Sequence, residues 1–120
     1  MRTSFAGTFG LLVCGALGAV APAYAAPSAK AGAAISAQCA ACHGNNGIAV
    51  ATNMPNLAGQ NYAYLLSQLE AYKNGTRKNP LMNEMAKPLS QQQMQDLAAY
   101  FASIPIRVGP PGRMHPRTGR

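Results

Sequence analysis

Cysteine, histidine and acidic side chains are all scarce in this chain of 120 residues, and tryptophan is absent. Three cysteines, Cys14, Cys39 and Cys42, cannot build the disulfide framework that staples many small secreted domains. A four-ligand zinc site is also out of reach. After Cys39, Cys42 and His43, the one remaining histidine is His115, in a Pro/Gly/Arg-rich tail. Three acidic residues stand against ten lysines and arginines, giving a formal net charge of +7. Nucleic acid explains that charge poorly, because the cations are scattered. Four of them, Arg107, Arg113, Arg117 and Arg120, lie in or just before the tail. The charge favours acidic protein partners or an anionic membrane face instead.

A bilayer-spanning run is missing too. "FGLLVCGALGAVA", Phe9 to Ala21, is too short to span comfortably. With Arg2 before it and the small-x-small pattern Ala23-Tyr24-Ala25 after it, the segment reads as a secretory signal over residues 1–25, cleaved after Ala25. An uncleaved anchor is one rival reading. A lipidated Cys14 is another, and bulky Val13 opposes it. The signal places the mature protein in the periplasm and removes Cys14. About 95 residues then remain, with one cysteine pair only two residues apart, a spacing too tight for a structural disulfide. A domain so small needs another source of buried apolar surface.

Helical patterns dominate the chain after the signal, and no run reads convincingly as a strand. Ser28 caps an alanine-rich helix from Ala29 to about Ala41, interrupted by Gly32, a costly residue that marks a close helix crossing. Asn45 to Gln60 is a turn-rich, ordered loop. Asn61 caps a second helix, in which Tyr62, Leu65, Leu66, Leu69 and Tyr72 recur every three or four residues until Gly75. "TRKNPLMNEMAKP" reads as a loop with one helical turn around Met82 to Ala86. Ser90 caps the last helix, with its stripe at Met94, Leu97, Ala98 and Phe101, and Pro105 stops it. The tail, residues 105–120, reads as flexible. The fold class is therefore all-α: three main helices joined by loops long enough to wrap a bound cofactor.

"CAACH", Cys39 to His43, matches C-x-x-C-H, the attachment signature of a c-type haem. Two thiols one helical turn apart reach the two vinyl groups on one porphyrin edge. The adjoining histidine then falls beneath the iron as the proximal ligand. A thioredoxin-like dithiol would need a strand before the motif and an α/β pattern around it.

With "CAACHG" stand "PNLAGQNYAYLLSQLEAYKNGTR" and "MNEMAKPLSQQQMQDLAAYFAS". From about Ala31 to Ser103 the chain resembles class I cytochromes c, most closely the single-haem unit of the cytochrome c4 and c553-like group. The resemblance implies the class I cytochrome c fold over residues 26–104, around one covalent haem c. It implies that the first and last helices cross near a right angle, with Gly32 facing Leu97 and Tyr100. It implies that the Pro55 carbonyl accepts from His43 Nδ1–H, orienting the ring. It also implies that a methionine in the loop before the last helix binds the iron opposite His43. Counting back from Leu89-Ser90, Met82 matches that position and Met85 is the runner-up. Met94, on the apolar stripe, reads as core.

A neutral thioether raises the reduction potential, and a filled sixth site suits electron transfer rather than catalysis. The resulting expectation is a periplasmic one-electron carrier, not an enzyme. It would shuttle electrons between a reductase and an oxidase with acidic docking surfaces, guided by Lys87, Arg77 or Lys78. The alternative is a haem-bearing subunit or dedicated partner of one periplasmic dehydrogenase or oxidase complex. Pairing of two copies as a homodimer stays open.

Overall fold

Ser28 opens the first helix by accepting from the Ala31 amide through its hydroxyl, at 3.2 Å. Residues 25–107 are described by a computed structural model. Most of the signal segment and the tail beyond residue 107 lie outside the described residues. Five helices succeed one another along the chain: α1 (Ala29–Ile35), α2 (Ala37–His43), α3 (Tyr62–Lys73), α4 (Pro80–Ala86) and α5 (Gln91–Ser103). Among the described residues there is no strand, and no helix is long and apolar enough to cross a membrane. The fold is all-α.

The sequence pattern gives one helix where the structure has α1 and α2. Ser36 divides them. Its N–H and its hydroxyl both donate to the Ala33 carbonyl, at 3.3 and 2.9 Å. Bonding three residues back tightens the turn, and a serine hydroxyl that competes for the carbonyl favours such a break. Helical geometry then resumes and runs to His43, past the expected end near Ala41. The stretch before α5 also differs. Asn79 accepts from the Met82 amide at 3.0 Å and Pro80 takes the first helical position, so α4 starts two residues earlier than the expected turn and forms seven helical residues. The Asn-Pro pair is a start signal, since proline lacks the N–H that the first turn leaves unsatisfied.

α5 supplies most of the core. Met94, Leu97, Ala98 and Phe101 are buried with Leu65 and Leu89. Each large apolar side chain so enclosed contributes about 1.5–3 kcal/mol. Ser90 and Gln93 form a reciprocal capping box at the start of α5. α1 crosses α5 where Gly32 meets the backbone of Asp96 and the Cβ of Tyr100. Asp96 secures the same crossing. Its buried carboxylate accepts from the Ser28 amide at 2.7 Å and from Gln92 at 3.1 Å.

On α3 the periodic stripe is less buried than its pattern promises. Only Leu65 is enclosed; Leu66, Leu69 and Tyr72 are half-buried. Leu65, Leu69 and Tyr72 also line a cavity.

Candidate functional site

Cys39, Cys42 and His43 stand three and four residues apart on α2, which puts them on one face of that helix. All three line a cavity of about 610 Å³, inside the range of roughly 300–1,000 Å³ usual for small-molecule and cofactor sites. The cysteines are half-buried and not bonded to each other. Burial is the main influence on Cys39 and raises its pKa, with a smaller upward push from Cys42 and a backbone hydrogen bond opposing.

His43 is 6% exposed, and its Nδ1 lies 2.8 Å from the Pro55 carbonyl. A carbonyl only accepts, so Nδ1 carries the proton and the lone pair is left on Nε2. The intervening loop is shaped for this contact. Gly44 ends α2 at φ 81°, where a Cβ would come within 2.0 Å of the Ile48 carbonyl oxygen. The chain therefore turns sharply straight after the histidine. The Gly47 carbonyl then accepts from Leu57 and Ala58, at 2.8 and 3.0 Å, and Asn56 accepts from the Ala49 amide at 2.8 Å. These bonds bring the Pro55 end of the loop back beneath α2.

Three methionines line the cavity: Met54 from this loop, and Met82 and Met85 from α4. Met82 and Met85 are three residues apart, so both lie on one face of that helix. Met94 does not reach the cavity. It is 2% exposed, within the core, as its place on the apolar stripe indicates. The remaining wall is largely apolar, with Leu57, Leu65, Leu69, Leu97, Ala98 and Phe101.

The lining contains no carboxylate. Among the described residues no group of three or more His, Cys, Asp and Glu could hold a metal ion. His43 and a methionine thioether would thus hold iron only with a macrocycle supplying the remaining donors. The donor set fits that group: two free thiols beside the histidine, an oriented imidazole, thioethers on another helix and an apolar enclosure.

Arg77, which the sequence places among surface cations, is part of the cavity edge. Its guanidinium lies 4.7 Å from the Tyr72 ring centroid and donates to Gln68, and all three residues line the cavity. Lys78 and Lys87 are exposed. Sequence reasoning missed the polar side chains that fasten α4 to α3. Asn83 carried no periodic or motif signal; its role is visible only once the end of α3 is seen beside it.

A family model, cytochrome c, matches residues 29–105. Cytochrome c4 of Pseudomonas aeruginosa is 46% identical over 93 residues, covering 78% of this chain and 46% of the relative. A thiosulfate dehydrogenase electron acceptor of Stutzerimonas stutzeri is 44% identical over 70 residues, covering 56% of this chain and 32% of that one. The crystal structure of reduced recombinant cytochrome c4 from Pseudomonas stutzeri superposes with a TM-score of 0.65 at 44% identity, over 70% of this chain and 49% of the other. The chain spans about half the length of the cytochrome c4 relatives it matches. The match through both helix-borne walls of the cavity establishes that the chain belongs to the cytochrome c family.

Proposed function

We propose that the chain is a periplasmic one-electron carrier. In this reading Cys39 and Cys42 would hold the haem through thioether bonds, and His43 Nε2 and the Met82 sulfur would ligate its iron. Met85 is the runner-up for the sixth position. Family membership brings a covalently bound c-type haem, and that group supplies the iron that takes up and releases one electron. The observation that carries the reading is the pairing of His43, held through Nδ1 by Pro55, with methionines of a separate helix on the same cavity.

Each residue has a definite task. The Pro55 carbonyl fixes the imidazole tautomer and makes Nε2 a stronger donor. A thioether is soft and uncharged, so it favours the reduced iron. The leucines and Phe101 exclude water, which also disfavours the more highly charged oxidised state. With His43 and Met82 both committed to the iron, no coordination site would be left for a substrate, and no carboxylate lines the cavity to move a proton. Electron transfer therefore fits this geometry better than catalysis.

A second reading has its own support. The similarity to a thiosulfate dehydrogenase electron acceptor favours a dedicated partner of one dehydrogenase over a general shuttle. Exposed Lys78 and Lys87 suit an acidic docking surface on either kind of partner. A stable stoichiometric complex recovered on gel filtration from native periplasm selects the second reading, and a free monomer or homodimer selects the first.

The attachment is tested by acid–acetone extraction followed by mass measurement of the denatured protein. The haem is expected to stay with the wild-type chain as one adduct. It is expected to become fully extractable when Cys39 and Cys42 are both changed to alanine. Extraction of haem from the wild type would overturn the assignment.

A further inference from the structure

Asn83 lies between Met82 and Met85 in sequence, and its side chain is fully engaged on the neighbouring helix and loop. Its amide nitrogen donates to the Tyr72 carbonyl at 2.6 Å and to the Arg77 carbonyl at 2.9 Å. Its Oδ1 accepts from the Asn79 amide at 2.8 Å. Tyr72 is in the last turn of α3, and Arg77 is in the link to α4. At the other end of α4, Lys73 Nζ donates to the Lys87 carbonyl at 3.0 Å and to the Leu89 carbonyl. The end of α3 thus grips α4 between its methionines and again beyond Met85.

The grip matters because, apart from Ala86 buried at its C-terminal end, α4 is only partly buried or exposed. Seven residues are too few for a helix that is stable by itself. Among the helices it packs against α3 alone. Its backbone does not come within 8 Å, Cα to Cα, of α2, which carries His43, or of α5. Small displacements of α4 therefore move the methionines relative to His43 without disturbing the core around Leu97.

We propose that Asn83, with Lys73, is a positioning residue for the sixth iron ligand, setting where the α4 methionines stand and how firmly a thioether stays on the iron. This rests on the His/Met reading above. Losing the clasp would let α4 move away and would make the sixth site easier for an outside ligand to take. The global fold would remain, because the core lies on α1, α3 and α5.

The test is imidazole titration of the full-length ferric holoprotein, followed optically, for the wild type, Asn83→Ala, Asn83→Asp and Lys73→Met. Asn83→Asp keeps the acceptor for Asn79 and removes both donations, so it carries the test if Asn83→Ala does not accumulate. Imidazole is expected to bind about tenfold more tightly to each variant, the order of effect of losing one well-made hydrogen bond. The near-infrared-edge methionine–iron band should remain in the absence of imidazole. An unchanged imidazole affinity beside a lowered melting temperature would show a merely structural role and overturn the proposal. A wild type with no methionine–iron band would instead overturn the His/Met reading, and this inference with it.

Discussion

Replacing Met82 with alanine is expected to abolish the weak near-infrared-edge absorption of methionine-ligated ferric haem. The reduction potential is expected to fall by some tenths of a volt, within the roughly 0.8 V over which axial ligands tune haem iron. Two effects act in the same direction. The thioether that favoured the reduced state is gone, and water or hydroxide, harder donors that favour ferric iron, can enter. Met85→Ala should keep both the band and most of the potential. Met85 is half-buried, so its truncation is expected to cost about 2 kcal/mol in packing, the lower end of the range for methionine. Spectra of both variants, oxidised and reduced, decide between the two sulfurs. Loss of the band in Met85→Ala alone would reverse the assignment.

Gly32→Ala is expected to destabilise the domain even though alanine is the better helix former. The propensity gain is at most about 1 kcal/mol. Against it, a Cβ at Gly32 would lie 2.0 Å from the Asp96 carbonyl oxygen, 2.5 Å from its carbonyl carbon and 2.8 Å from the Tyr100 Cβ. Two of these contacts are with helical backbone, which cannot yield by changing a rotamer. Forcing α1 away from α5 costs about 3 kcal/mol and also stretches the 2.7 Å bond from Ser28 to Asp96. The net loss of about 2 kcal/mol should lower the melting temperature by on the order of 10 °C in a domain of this size. Ala34→Gly, at an exposed position of the same helix, should lose only about 1 kcal/mol. An unchanged or raised melting temperature in Gly32→Ala would mean that the crossing has room for a Cβ and does not require glycine.

The parts of the fold legible in the residues alone were those governed by local chemistry. Ser28, Asn61 and Ser90 cap helices through the side chains that make such residues good caps. Met94, Leu97, Ala98 and Phe101 recur with helical spacing and are buried. Gly32 marked a crossing because nothing local justified its cost. The break at Ser36 was not legible, since it depends on one hydroxyl choosing a carbonyl three residues back. The early start of α4 was legible in Asn79-Pro80 but was outweighed by the surrounding turn-forming residues.

At the site, "CAACH" specifies a cofactor because spacing and chemistry coincide within five residues. The choice among methionines is different. Met54, Met82 and Met85 all line the cavity, and neither composition nor periodicity separates them. Met54 precedes Pro55, on the histidine side, and between Met82 and Met85 only the count back from Leu89-Ser90 decides, through resemblance. The clasp by Asn83 and Lys73 was invisible because both side chains act on backbone carbonyls distant in sequence, and backbone acceptors leave no trace in residue identity. Arg77 is exposed, as a cation in a link sequence reads, but its contact with the Tyr72 ring was not legible.

The most direct test of a closed, His/Met-ligated electron carrier is the optical spectrum of the purified holoprotein, oxidised and then reduced under carbon monoxide. Such a carrier should show a methionine–iron band in the oxidised spectrum and a reduced spectrum that carbon monoxide leaves unchanged. A missing band together with immediate carbon monoxide binding would show an open sixth site and contradict it.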